Sequence, residues 1–184
     1  MQHILFFGDS LTAGYGLANT ATESFPALIS EKLKAQNLQY HVTNAGLSGD
    51  TTSGGLSRLT YWLRKPVDIF VLELGINDIR RGVKLAIIQQ NLQAIINQVK
   101  TKNPHAKLVL LGMEIPIFLG GNLAVEVGAI YRQLAQTNQM AFVPFLLKGV
   151  AGLKHLNLRD MVHPSAAGYK IVAELVWPAI HNLL

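Results

Sequence analysis

The feature that most constrains this chain is an alternation, kept up from end to end, between short apolar runs and stretches with helical spacing. Strands separated by helix-length segments are the signature of a parallel sheet wrapped by helices. The apolar runs predict strands near 3–7, 39–43, 67–74, 107–113 and 141–145. Helices are predicted near 24–36, 52–64, 83–102, 122–138 and 165–183. The runs Asp68-Ile69-Phe70-Val71-Leu72-Glu73-Leu74 and Lys107-Leu108-Val109-Leu110-Leu111-Gly112 are almost continuously apolar, as expected of central strands covered on both faces. Between 85 and 99, Leu85, Ile88, Leu92, Ile95, Ile96 and Val99 recur three or four apart and give a helix with one buried stripe, which Asn103-Pro104 ends. Ser24 and Pro26 mark the start of the first helix, and Pro178 is expected to kink or shorten the last one near Trp177.

No composition break, repeat or linker divides the 184 residues, so the expectation is one three-layer α/β/α domain over 1–184. A chain of this length buries enough apolar surface to fold without staples. With Cys 0, thiol nucleophiles and thiolate-held zinc are excluded. The formal net charge of +5 raises the question of an anionic partner. Its carriers, Arg80, Arg81 and Lys84 in one group and Lys100, Lys102 and Lys107 in another, are separated and lack interleaved aromatics, which favours a solvated surface over a nucleic-acid footprint. No apolar run reaches the roughly 18 residues of a membrane span. The start, Met1-Gln2-His3-Ile4, carries no signal-peptide pattern; cytoplasmic location is the reading as written, and a periplasmic or secreted one that of a trimmed form.

In an open α/β sheet, ligands sit beyond the carboxyl ends of the strands. The residues there are Gly8-Asp9-Ser10-Leu11-Thr12, Asn44-Ala45-Gly46-Leu47-Ser48-Gly49, Gly75-Ile76-Asn77-Asp78 and, ahead of the last helix, Asp160-Met161-Val162-His163. Ser10 is placed where a nucleophile is displayed, although a serine in such a loop serves equally well as a cap or turn former. The loop lacks the Lys-Ser/Thr ending of a phosphate loop and the second glycine of a G-x-S-x-G elbow. Asp160 and His163, three apart, can meet on a helical turn or across a tight loop; an isolated pair of this kind also reads as a cap beside a surface histidine. Gly46 and Asn77, with the Ser10 N–H, could donate to a developing oxyanion, and each alone is also ordinary turn chemistry.

These four blocks together resemble the GDSL, or SGNH, hydrolase family, named for Ser, Gly, Asn and His, over Phe6 to Gly168. The likeness is greatest to the small bacterial acyl-CoA thioesterase/lysophospholipase and arylesterase type, through Ser10-Leu11-Thr12-Ala13-Gly14-Tyr15-Gly16 and Phe25-Pro26. The resemblance implies a flavodoxin-like five-stranded sheet ordered 2-1-3-4-5. It implies Ser10 as nucleophile, His163 as base, Asp160 as its orienting acid, and Ser10, Gly46 and Asn77 as the oxyanion hole, with no metal or cofactor. Asp9, Leu11, Ile76 and Asp78 beside the blocks, and Ile115, Pro116, Ile117 and Phe118 in the loop after the fourth strand, are candidates to contact substrate. The apolar loop could grip an acyl chain, and Gly120-Gly121 could let it move. The expected substrate is a small-molecule ester or thioester; a monomer is a plausible state, and the sequence leaves the oligomeric state open. Carbohydrate O-deacetylation, a non-catalytic ligand-binding module and a flavodoxin-like nucleotide binder are the alternatives.

Overall fold

The computed structural model describes residues 2–115 and 121–184. Five strands, β1 (Gln2–Gly8), β2 (Tyr40–Gly46), β3 (Ile69–Glu73), β4 (Lys107–Leu111) and β5 (Ala141–Val143), form one sheet ordered β2-β1-β3-β4-β5. Every pairing is parallel. The order is therefore 2-1-3-4-5, the flavodoxin-like arrangement, and its reversal point falls between β1 and β3.

Side chains alternate across a strand, so one apolar run feeds both faces of the sheet. Leu5, Phe7, Phe70, Leu72, Leu108 and Leu110 join one core with α4 (Thr52–Trp62), α6 (Leu85–Lys102) and α7 (Asn122–Asn138). Ile4, Phe6, Ile69, Val71, Val109 and Leu111 join the other with α3 (Phe25–Ala35) and α8 (Ala166–His181). Fully burying one such side chain contributes roughly 1.5–3 kcal/mol, so the two layers dominate the stabilisation of the sheet. In α6 the spacing reads out directly: Ile88, Leu92, Ile95, Ile96 and Val99 are its buried residues. Asn103 then ends the helix, and its Oδ1 accepts the Val67 N–H at 2.9 Å, tying the helix end to the chain entering β3.

Among the described residues, three short α-helices, α1 (Ser10–Ala13), α2 (Thr20–Glu23) and α5 (Ile76–Arg80), and one 3-10 turn (Lys154–Leu156) lie outside the sequence expectation. Nor does the last helix break at Trp177; α8 runs through Pro178 to His181. Pro178 is exposed, so the carbonyl it leaves unpaired one turn back, on exposed Glu174, can be hydrated, while buried Val176 and Ile180 hold the helix on either side. Among the described residues, no helix is long and apolar enough to cross a membrane.

Candidate active site

Ser10 begins α1 directly after β1, and the geometry of that turn fixes it. Asp9 caps the helix, its Oδ1 accepting the Leu11 N–H at 3.0 Å. One turn later Gly14, at φ 82, ends the helix in the left-handed conformation that glycine adopts without strain. From α8, the Tyr169 phenol donates to the Leu11 carbonyl at 3.0 Å. Gly8 has no room for a Cβ, which would lie 2.6 Å from the Glu73 carbonyl, so β1 and β3 approach closely immediately before the turn. Ser10 is left 7% exposed above a closed floor.

The Asp160–His163 segment is a tight turn, not a helix. Leu158 N–H donates to the His163 carbonyl at 2.7 Å, and Met161 N–H to the Leu158 carbonyl at 3.0 Å. Met161 holds φ 59, left-handed backbone that an unbranched L-residue adopts only at a cost. Asp160 Oδ1 accepts the N–H groups of Val162 and His163 at 2.9 and 3.0 Å, while Oδ2 lies 2.7 Å from His163 Nδ1. Partial burial raises the Asp160 carboxyl, but the N–H and ring donors of His163 and the N–H of Val162 outweigh it and hold the group at about 2. An ionised Asp160 assigns the proton to Nδ1, leaving Nε2 bare. That nitrogen lies 2.8 Å from Ser10 Oγ, and Tyr15 packs against the ring with centroids 4.7 Å apart. A hydroxyl, an imidazole and a carboxylate thus lie in hydrogen-bonded series, the arrangement that can move a proton off the hydroxyl as it attacks.

The expected oxyanion donors are placed differently. Gly46 closes β2, and its N–H is already taken by Asn44 Oδ1 at 2.9 Å. A Cβ on Gly46 would meet the Ala13 backbone, so close packing of α1 against β2 accounts for this glycine. Three residues on, Gly49 sits in an exposed turn at φ 79, its carbonyl accepting from Arg81 Nη2 at 2.9 Å. No hydrogen bond among the described residues engages the Gly49 N–H or the Ser10 N–H. Asn77 Nδ2 donates to Asp9 Oδ2 at 3.1 Å and to the Asp50 carbonyl at 2.8 Å, so one of these bonds must be exchanged before it can serve an oxyanion.

Two of the residues expected to contact substrate are buried and hydrogen-bonded within the protein. Asp78 is buried and accepts from Thr52 N–H and Oγ at 2.9 and 2.6 Å, locking the start of α4 to α5. Asp9 is fully buried beside Glu73, whose Oε2 accepts the Asp9 N–H at 3.1 Å and the Thr12 hydroxyl at 2.8 Å. Burial pushes both carboxyls up, Asp9 the further because the Glu73 charge adds to it. The pair retains a proton above the usual carboxylate range, which keeps two negative charges from accumulating beneath Ser10. Sequence reading missed Glu73, although a carboxylate inside a continuously apolar strand is itself a signal.

An apolar cavity of about 740 Å³ opens on the β3–β5 side of Ser10. Leu11, Ile76 and Ile115, all three expected to touch substrate, line it. So do Leu74, Met113, Phe145, Leu147, Met161 and Val162, with Glu73 at the side of the carboxyl pair. Pro116, Ile117 and Phe118 lie outside the described residues. Among the described residues no group of three or more carboxylates and imidazoles is arranged to hold a metal ion.

With the fold and this site in view, the family model described as GDSL-like lipase/acylhydrolase matches residues 6–171, and the chain belongs to that family of hydrolases. Among curated proteins it is 36% identical to esterase TesA of Pseudomonas aeruginosa over 185 residues, covering 100% of this chain and 90% of that one. It is 33% identical to thioesterase 1/protease 1/lysophospholipase L1 of Escherichia coli K12, covering 93% of this chain and 79% of that one. Among solved structures, a crystal structure of TesA superposes with a TM-score of 0.93 at 36% identity, covering 100% of both chains.

Proposed function

We propose that this chain hydrolyses carboxylic esters and thioesters of acyl chains through an acyl-enzyme on Ser10. Ser10 Oγ attacks the carbonyl carbon while His163 Nε2 accepts its proton. His163 then returns that proton to the departing alcohol or thiol as the acyl–leaving-group bond breaks. Water, deprotonated by the same imidazole, attacks the acyl-serine, and the fatty acid departs. Asp160 keeps the imidazole in the required tautomer and stabilises its charged form. The oxyanion is met by the Ser10 N–H, by Asn77 Nδ2 and, in place of the already bonded Gly46, by the N–H of Gly49, which has no partner among the described residues.

The observation that carries this reading is the 2.8 Å contact between Ser10 Oγ and His163 Nε2, backed by the 2.7 Å contact from Nδ1 to Asp160. Naming of the curated relatives as esterase and thioesterase/lysophospholipase supports it. The cavity's apolar lining favours an acyl tail over an acetylated sugar, because polar hydroxyls buried there would lack partners. The test is turnover of p-nitrophenyl esters from acetyl to palmitoyl, together with one acyl-CoA and one acetylated sugar. Activity should rise from acetyl to medium-length chains, and Ser10→Ala should abolish it in a folded protein. Preference for the acetylated sugar would replace this reading with deacetylation, and unimpaired turnover by Ser10→Ala would end it.

A further inference from the structure

The groups proposed to meet the oxyanion stand on three separate pieces of chain: the turn after β1, the exposed loop after β2, and α5. One side chain that sequence reading passed over touches the first two and reaches the third through a single residue. Arg58, on α4, donates from Nε to Asp50 Oδ2 at 2.7 Å, from Nη1 to the Ala45 carbonyl at 2.8 Å and from Nη2 to the Gly8 carbonyl at 2.9 Å. Its guanidinium carbon lies 4.0 Å from the centroid of the Phe7 ring. The ion pair is withdrawn from solvent, with side chains 19% and 5% exposed for Arg58 and Asp50.

Two of these contacts, those to Gly8 and Asp50, lie within two residues of a proposed donor. Gly8 is two residues before Ser10, and its carbonyl also accepts the Leu47 N–H at 3.0 Å. Asp50 follows Gly49 directly, and its own carbonyl receives Asn77 Nδ2 at 2.8 Å. Leu47, Ser48 and Gly49 are exposed; Arg81 Nη2 holds the Gly49 carbonyl from outside at 2.9 Å, the Asp50 N–H closes the turn on the Leu47 carbonyl at 3.0 Å, and the two ends of the loop are anchored through Gly8 and Asp50. A planar fork with several donors is the side chain that can hold two carbonyls and a carboxylate at once, which a lysine cannot.

We infer that Arg58 is a positioning residue for the oxyanion hole: it sets the Ser10 N–H, the Gly49 N–H and Asn77 in register with one another without touching substrate. This rests on the esterase reading above. Donors that fit the tetrahedral oxygen rather than the ground-state carbonyl act on kcat, so their misplacement should leave KM largely alone.

The experiment compares Arg58→Ala, Arg58→Lys and Asp50→Asn with the unaltered protein, on a p-nitrophenyl ester of medium chain length. Arg58→Ala should lose about 100-fold in kcat, of the order found when a single oxyanion donor is removed, with KM changed by less than about twofold. Affinity for a trifluoromethyl ketone, which forms a tetrahedral adduct, should fall with kcat, while affinity for the product fatty acid stays level. Guanidinium ion at non-denaturing concentration should restore part of the Arg58→Ala rate, and urea at the same concentration should not. If Arg58→Ala does not fold, Asp50→Asn, which removes the ion pair but keeps the carbonyl that holds Asn77, should show a smaller loss of the same kind. Retained kcat in folded variants, loss through KM alone, or no response to guanidinium would overturn the inference. Ser10→Ala assayed alongside separates the two levels: residual turnover there refutes the esterase reading, whereas its absence with intact Arg58 variants refutes only the positioning role.

Discussion

The phenol of Tyr169 donates to the carbonyl of Leu11 across a sequence separation of 158 residues, at 3.0 Å and out of contact with solvent. Tyr169 stands at the start of the helix that follows the His163 turn, and Leu11 is the neighbour of Ser10. This bond therefore links the segment carrying the imidazole to the segment carrying the hydroxyl. At the next strand, Tyr131 of α7 donates its phenol to the Leu74 carbonyl at 2.7 Å, one residue before the loop that leads to Asn77.

Replacing Tyr169 by Phe leaves the buried Leu11 carbonyl unpaired, which costs about 1–3 kcal/mol. The variant should unfold at a lower temperature and lose several-fold in kcat as α1 relaxes away from His163. Thermal melts and steady-state kinetics check both, and a melt lowered with kcat intact would show that the clamp serves folding alone.

The Asp160 carboxyl, held at about 2 against an ordinary value near 4, gives an acid limb. The native state binds fewer protons than the unfolded chain in that window, so its contribution is present above about pH 4 and is lost as pH falls towards 2. Asp160→Asn should remove this limb from a plot of melting temperature against pH. It should also cut kcat by about 10³- to 10⁴-fold, as loss of the orienting acid does in triads of this kind.

The Asp9–Glu73 pair works in the opposite sense. Both carboxyls are raised, so the folded protein keeps protons that the unfolded chain releases, and stability falls as pH climbs above the ordinary carboxylate range. Glu73→Gln preserves an acceptor for Thr12 and supplies a fixed donor towards Asp9. Its melting temperature relative to the unaltered protein should therefore improve steadily from pH 4 to pH 8; a constant difference would contradict the shared proton.

Met161 holds left-handed backbone and lines the apolar cavity at the same time. Replacement by Gly relieves a conformation costing roughly 1–2 kcal/mol but adds freedom to the unfolded chain, so the melting temperature should move little. With the wall of the cavity shortened, the preference for decanoyl over butyryl esters should drop several-fold. Unchanged chain-length preference would mean that the acyl chain does not run past Met161.

Much of this was legible beforehand because it rests on burial. β3, β4 and α6 announce themselves through apolar spacing, and the site falls where strands end. The sheet order came from resemblance to a family, since periodicity says nothing about which strands are neighbours. α1 and α5 have 4 and 5 residues, too short for a helical repeat to register. That α8 continues past Pro178 is not legible in the sequence, because a proline's effect depends on whether the freed carbonyl faces water, which only packing reveals. The close approach of α1 to Gly46, and the bond of its N–H to Asn44, depend on tertiary packing that turn chemistry in the sequence does not reveal. The role of Arg58 is set by three strand and loop ends that meet only in the folded chain.

The central claim is that Ser10 is a nucleophile activated by His163, and covalent labelling tests it most directly. After exposure to a fluorophosphonate, peptide mass spectrometry should find the phosphonyl group on Ser10 and on no other residue, with labelling slowed by orders of magnitude in His163→Ala. An unmodified Ser10, or labelling at the same rate without the imidazole, would contradict the account.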